Sequence, residues 1–404
     1  MSEWEDVHQE ASDLTIKEEY QLWRKNCRYM YEFVSETALT WPSLTIQWLP
    51  EYEEHDGIIE SKLLLGTHTS GEDANYLKVA STQLPGNSPA SPSSGAEPPK
   101  ANSRIKITKK FENKFEINRA RYMPQDSSII STINGEGQID LYNLKDDSKS
   151  SFAQLTPFSE NGYGLAWSPF KKGLLLAASD DKSISLHDIN EKPHEIFKNR
   201  SHGNIVNDAK WHLHDENLFG SVSDDNYTFI FDVRTPSGPI SRFYHEKSQG
   251  TNSLSFSPFS SNLLAIGNTN SNINLLDLRM LSNKEKSSEG LLHTMMGHSD
   301  SISCLEFSPH KDGIIASGSQ DRRLIVWDLF KIGEEQQQED AEDGCPELFM
   351  MHAGHTGAVT DLSWCPYKNW TLGSVADDNI VHLWEIGNSL LNEEKEEVSV
   401  KDLE

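Results

Sequence analysis

Residues 314–329 read Ile-Ile-Ala-Ser-Gly-Ser-Gln-Asp-Arg-Arg-Leu-Ile-Val-Trp-Asp-Leu, or IIASGSQDRRLIVWDL. Two apolar runs flank Ser319-Gln320-Asp321, a turn in which the Asp side chain can bond to its own local backbone and hold a hairpin together. The second run, LIVWDL, alternates with period two and closes on an aromatic residue followed by Asp.

That closing pattern recurs. IDLYNL (139–144), ISLHDI (184–189), FIFDV (229–233), INLLDL (273–278), LIVWDL (324–329) and VHLWEI (381–386) end alike, with Asn143, Asp188, Asp232, Asp277, Asp328 and Glu385 as the closing polar residues. Their interval is about 45 residues before later insertions stretch it, the spacing of four-stranded propeller blades. A second polar residue stands seven positions earlier in each unit, at Glu136, Asp181, Asp225, Asn270, Asp321 and Asp378. Six complete units leave residues 44–111 to supply a seventh, and LTIQWL, KLLLGTH, NYLKVAST and IKITKKF all have strand composition. The expected fold is all-β, a seven-bladed ring that closes on itself as one domain over 41–391. The Pro-, Ser- and Gly-rich PGNSPASPSSGAEPPKANS reads as a hairpin extension within it, not a domain boundary.

Residues 13–35 break the strand rhythm. Ile16, Tyr20, Trp23, Cys27, Met30 and Val34 step by four and three, which puts them on one helical stripe, and Thr15 with Glu18 fits a capping box. An arm and amphipathic helix packed on the ring is expected over 1–40, because an isolated helix gains little stability in water. Leu22, Tyr29 and Phe33 point partly away from the stripe. Residues 392–404 read as an acidic tail.

Between Asp328 and Glu385 the repeat lengthens by about a dozen residues, and the excess in such proteins maps to a loop on one face. The added residues, GEEQQQEDAEDGCPEL (333–348), contain no Lys or Arg, and LFMM (348–351) follows with apolar residues on both alternating sides. Most charge runs are solvated surface. Here an acidic loop, surplus Phe and Met and a nearby amphipathic helix together suit a basic amphipathic helix as guest.

The chain of 404 residues carries a formal charge of −26, which argues against nucleic acid or an anionic membrane as ligand. MSEWEDVHQEASD has neither a basic n-region nor an apolar core, and no apolar run reaches membrane-span length, so nucleus and cytoplasm are the expected compartments. Cys27, Cys304, Cys345 and Cys365 are isolated, and neither a metal nor a cofactor motif is recognised. NGEGQID lacks the third glycine of a dinucleotide loop, HLHD (212–215) follows a strand end, and G-x-S-x-G does not occur. An enzyme is not expected.

The GH dipeptides at 297–298 and 354–355 upstream of these turns give a resemblance to WD-repeat propellers. It implies that His298, Ser317, Asp321 and Trp327 form one structural hydrogen-bonded set. EEYQLWRKN (18–26), ALTWPSLTIQWLP (38–50), LLLGTHTSGE (63–72), NRARYMP (118–124), FGSVSDD (219–225) and WDLFKIGEEQQQEDAEDG (327–344) resemble, more specifically, the histone-binding WD-repeat proteins related to the retinoblastoma-associated chromatin subunits. FVSET, GTHTSGE and the acidity look most like the fungal WD-repeat subunits of type B histone acetyltransferases. The resemblance implies a non-catalytic subunit that holds arginine-rich core histones for a catalytic acetyltransferase subunit. Membership of a chromatin-assembly or deacetylase complex, or a non-histone scaffold role, is the alternative.

Carried over by position, Asp340 and Asp343, with Glu339 beside them, would pair with histone Arg or Lys. Met30, Met350 and Met351 would form an apolar floor, closed by Leu390. A basic histone tail would lie on the ring face against His68, Glu116, Asn118, Tyr163, Asp224 and Asp377. Asn161, Asn207 and Ser301 depart there from the Glu of relatives and remove negative charge. Asp224 and Asp377 could equally shape turns.

Overall fold

The computed structural model describes residues 15–86, 103–235, 237–246, 250–336 and 344–392. Among them, helix α1 (Ile16–Met30) leads into strand β1 (Tyr31–Ala38). Blade 1 comprises β2 (Ile46–His55), β3 (Ile58–Leu65), β4 (Asn75–Pro85) and β5 (Lys106–Asn113). Blade 2 comprises β6 (Ile117–Met123), β7 (Asp126–Asn134), β8 (Ile139–Asn143) and β9 (Ala153–Leu155); blade 3, β10 (Gly162–Trp167), β11 (Leu174–Ser179), β12 (Ile184–Asp188) and β13 (His194–Asn199). Blade 4 holds β14 (Val206–Trp211), β15 (Leu218–Ser223), β16 (Tyr227–Asp232) and β17 (Ser241–Tyr244); blade 5, β18 (Thr251–Phe256), β19 (Leu263–Asn268), β20 (Ile273–Asp277) and β21 (Leu291–Met295). Blade 6 holds β22 (Ile302–Phe307), β23 (Ile314–Ser319), β24 (Leu324–Asp328) and β25 (Leu348–His352). In blade 7, β26 (Val359–Trp364), β27 (Thr371–Ala376) and β28 (Ile380–Ile386) are completed by β1, and a short helix α2 (Asn388–Asn392) follows.

Each blade is an antiparallel four-stranded sheet, and the innermost strands touch in succession until β26 returns to β2. The seven-bladed propeller is therefore closed. Apolar clusters fill the space between neighbouring blades, as where Cys304, Ile314 and Ala316 of blade 6 meet Leu362, Trp364 and Leu372 of blade 7.

Tryptophans at the ends of innermost strands fasten one blade to the next. Trp167 Nε1 donates to Arg121 O (3.0 Å), Trp211 to Ala166 O (3.1 Å), Trp364 to Glu306 O (3.1 Å) and Trp48 to Ser363 O (3.2 Å). Buried indole N–H groups seek such partners.

Closure differs from the simplest reading of the sequence in one respect. The helix expected over 13–35 ends at Met30, where Tyr31 turns extended (φ −127°, ψ 138°), and the ring's first strand begins before residue 41. Tyr31–Ala38 pair with β28 from Tyr31↔Ile386 to Ala38↔Ile380. An open strand edge must find partners for its N–H and C=O groups, and Tyr31, Phe33, Val34 and Thr37 suit a pleated surface. Trp41–Leu49, expected beside the C-terminal blade, leads into β2, which packs against β26 and β27 across the blade boundary. Most of the Pro/Ser-rich extension (87–102), the acidic tail and residues 1–14 lie outside the described residues.

One carboxylate inside the channel unites three blades. Asp361 on β26 accepts from Ile46 N (3.0 Å) and Thr45 Oγ1 (3.2 Å) at the start of blade 1, and from Arg121 on β6 (3.1 Å).

Candidate functional site

Helix α1 lies across the outer side of blades 6 and 7. Thr15 starts it, donating its N–H (2.9 Å) and hydroxyl (2.7 Å) to Glu18. Glu19 reaches the β23–β24 turn, pairing with Arg322 (2.9 Å) and Arg323 (3.2 Å), while Arg24 pairs with Glu36 on β1 (3.1 Å). These contacts set which side of the helix faces which blade. Trp23 is its one buried residue. Its ring occupies space that a side chain at 354 would take, since a Cβ on Gly354 would stand 2.6 Å from the indole.

The stripe packs as its periodicity indicates. Tyr20, Cys27, Met30 and Val34 lie half-buried against a core that includes Trp23, Tyr31, Met350 and Trp384. Leu22 and Tyr29 are exposed. Residues 19, 22, 26 and 29 share one side of a 3.6-residue helix, so Leu22 and Tyr29 look toward blade 6, the side Glu19 contacts.

On that side the structure gathers Met30, Phe349, Trp370, Leu390 and Leu391 over buried Met350. Phe349 meets Trp370 at 5.6 Å between ring centroids. The helix α2 that carries Leu390 is tied to α1 by Ser389 Oγ donating to Tyr29 O (3.0 Å). Met30, Met350 and Leu390 are thus brought together, whereas Met351 is not: it packs with Leu348 and Cys345 in the neighbouring cluster between blades 5 and 6. The cause is a register shift between Val326 and Trp327, which leaves Phe349 without a cross-strand partner and turns it to the α1 side. Phe349, Leu22 and Tyr29 are the residues that reading by position missed at this strip.

Truncating Met350 to alanine should loosen α1, as a rise in amide exchange within residues 20–30, at a local cost of about 2–5 kcal/mol. Met351→Ala should leave α1 exchange unchanged and lower the unfolding midpoint of the ring. The reverse pattern would refute this division.

The acidic insertion leaves the ring after a 3-10 turn (Leu329–Lys331), with Glu334 and Glu335 exposed, and re-enters just before β25. Its returning end is anchored to blade 5, where Glu347 meets His293 (2.8 Å) and Cys345 Sγ approaches Met296 O (3.4 Å). Glu339, Asp340 and Asp343 lie outside the described residues.

A second constellation surrounds the channel mouth. His68 pairs with Glu116 (3.0 Å), and the Asp377 carboxyl, pushed up by burial, is drawn back down by His68 nearby. Asn118 donates to Asn161 Oδ1 (2.6 Å) and Gly162 O (2.8 Å), Asn207 donates to Asp224 (2.6 Å), and Asn252 donates to Ser301 Oγ (2.6 Å). The amides thus bridge adjacent blades. Tyr163 is exposed at the mouth.

The turns themselves are held by the neighbouring carboxylates. Asp225 and Asp378 accept from the backbone of Tyr227 and Ile380 and bond His202 and His355. That division frees Asp224 and Asp377 from turn duty, and Asp180, raised by burial beside turn-holding Asp181, joins them. The doubled Asp at 180–181, 224–225 and 377–378 is the signal that could have found Asp180.

Elsewhere the polar groups are structural. His298 bonds Asp321 (2.9 Å) and Ser317 (2.8 Å), and Trp327 Nε1 donates to the same Ser317 oxygen (2.8 Å), so the four residues form one buried set. His355, Ser374, Asp378 and Trp384 repeat it in blade 7. In HLHD, His212 and His214 bond the carbonyls of Ser261 and Ser257 in a strand connection. Burial pushes the thiols of Cys304 up to about 12 and of Cys27 and Cys365 to about 11, which keeps them protonated and weakly nucleophilic. His352, His355 and His382 bring ring nitrogens within 4.8 Å of one another. Both nitrogens of His352 and of His355 are already hydrogen-bonded, so the trio is wired into the protein instead of open to a metal.

Comparison with known proteins bears on the same elements. Residues 18–86 match the family model of the histone-binding protein RBBP4, whose description extends to the equivalent component of the CAF1 complex, and residues 289–328 and 347–385 match the WD domain, G-beta repeat. The histone acetyltransferase type B subunit 2 of Debaryomyces hansenii is 72% identical over 95% of this chain and 94% of that one. The chain belongs to the histone acetyltransferase type B subunit 2 family. The Candida albicans member is 61% identical over 98% of this chain and 99% of its own, and that of Eremothecium gossypii 46% over 97% and 90%. The match to RBBP4 starts within α1 and runs to the end of β4, so it covers the helix, the closing strand β1 and the inner strands of blade 1.

Proposed function

We propose that the chain is a non-catalytic, histone-binding regulatory subunit of a type B histone acetyltransferase, holding arginine-rich core histones for the catalytic partner. The observation that carries this reading is the apolar strip of Tyr29, Met30, Phe349 and Leu390 on the flank of blades 6 and 7, beside the two ends of the acidic insertion. A basic amphipathic helix complements both features. Its apolar face would cover the strip, and its Lys and Arg would meet Asp340, Asp343 and Glu339. Burial of Met and Phe supplies most affinity in such an arrangement, while rim carboxylates set orientation and association rate. An extended basic tail is the proposed occupant of the mouth formed by His68, Glu116, Asn118, Tyr163, Asp224 and Asp377. The subunit's contribution to catalysis is then local concentration of substrate. Nucleus and cytoplasm are the proposed compartments, testable by imaging a fluorescent fusion.

Asp340→Asn with Asp343→Asn should weaken binding of a basic histone helix roughly tenfold at low salt, from about 0.7 kcal/mol per rim carboxylate. The difference should shrink as salt rises, because exposed charges are screened. Equal affinity of the two chains in low salt would favour a scaffold role in which the insertion only solubilises. The matched family also takes in a component of the CAF1 complex, which keeps a chromatin-assembly role in view. Purifying the tagged chain with its partners separates the two, by whether an acetyltransferase or assembly-factor subunits accompany it.

A further inference from the structure

A single chain of hydrogen bonds runs from α1 into the middle of blade 7. Trp23 Nε1 donates to Tyr31 Oη (2.9 Å), Tyr31 Oη meets His352 Nδ1 (2.8 Å), and His352 Nε2 meets His382 Nδ1 (3.1 Å). All four residues are buried, and His352 and His382 are 0% exposed. The far nitrogen, His382 Nε2, has no hydrogen-bond partner.

Donor and acceptor counting orders the protons. If Tyr31 donates to His352 Nδ1, then His352 Nε2–H donates to His382 Nδ1, and His382 Nε2–H alone is unmet. The opposite order would strand both the Tyr31 hydroxyl proton and the His382 Nε2 lone pair. We assign the first.

An added proton fits neither order. On His352 it would remove the acceptor that Tyr31 needs, and on His382 it would set two N–H groups against each other across 3.1 Å. Few groups nearby could compensate. Trp384 stacks on His352 at 4.6 Å between centroids, and Trp23 and Tyr31 meet the same ring edge-on. His355, from the loop before β26, lies 4.1 Å from His382 between centroids and is the nearest further titratable group. The Asp378 carboxylate of the β27–β28 turn is engaged by His355, Thr356 N and Ile380 N. On α1 and β1, Arg24 and Glu36 pair with each other, and Cys27 is a protonated thiol.

We propose that seating of α1, and with it the strip formed by Tyr29, Met30, Phe349 and Leu390, is proton-linked through His352 and His382, so that mild acid releases the helix and its histone guest. The second half rests on the function proposed above. Burial holds both imidazoles well below the ordinary histidine range. A histidine depressed in the seated state contributes stability that is present above its free value, about 6.5, and lost as pH falls through and below it.

The test uses the full chain, with amide hydrogen exchange followed from pH 7.5 to 5.0 and corrected for intrinsic rates. Protection of residues 20–30 should fall at least about tenfold per pH unit below about pH 6, one proton's worth, while the innermost strands stay protected. His382→Phe, which fills the site without titrating, should flatten that slope. Uniform α1 protection across the range, or an undiminished slope in a chain carrying both His352→Gln and His382→Phe, would overturn the proposal. The wild-type series decides even where a variant fails to fold. Affinity for a basic histone-helix peptide, measured in parallel, should fall with protection. Release of α1 with unchanged affinity would sustain the proton link and refute the strip as the histone site.

Discussion

A Trp23→Ala chain should fold its ring normally and lose its grip on a basic histone helix by a factor of about a hundred or more. The indole is 5% exposed, fills the gap above Gly354, bonds Tyr31 and contacts two histidine rings. Removing a buried tryptophan costs about 3–5 kcal/mol, and each 1.4 kcal/mol is about tenfold in affinity. The loss falls on docking, because none of the inter-blade tryptophan bonds involves residue 23. Titration calorimetry with a histone-helix peptide, alongside urea unfolding of the same chain, would detect it. An affinity equal to wild type would mean that the strip beside α1 does not hold the guest.

Asp361→Ala should act on the ring instead, at about 3–5 kcal/mol of unfolding free energy, the usual cost of removing one member of a buried ion pair. Arg121 would keep its bonds to Thr45 Oγ1 and Ala120 O but lose its counter-charge, and Ile46 N would lose its acceptor. Both losses occur where blade 7 meets blades 1 and 2. Asp361→Asn keeps an acceptor for Ile46 N without the charge and should fall between. A urea midpoint unchanged by Asp361→Ala would refute the role given to this residue.

The legible parts of the molecule are those whose signals are local or repeated. The closing polar residues and the seven-residue offset to each turn disclose the blades because one hairpin geometry is used again and again. Trp23 could be placed on the buried stripe because helical spacing alone puts it there. Contacts between distant segments leave no such trace. Nothing near Tyr31 signals that the helix stops, since the edge of β28 that captures it lies some 350 residues later. Met351 and Phe349 exchanged roles because a register shift in one strand pair turned the alternation. The Trp23–Tyr31–His352–His382 chain spans three separate parts of the sequence and becomes apparent only in the folded ring.

Blade 7 draws three strands from residues 359–386 and its fourth from residues 31–38. During synthesis the early strand must wait, unpaired, until almost everything after it has left the ribosome. Helix α1 has no seat until then, because Trp23 rests on His352, Gly354 and His382. A half-made or truncated subunit therefore offers histone no landing place, and possession of the cargo site certifies that translation reached the final blade.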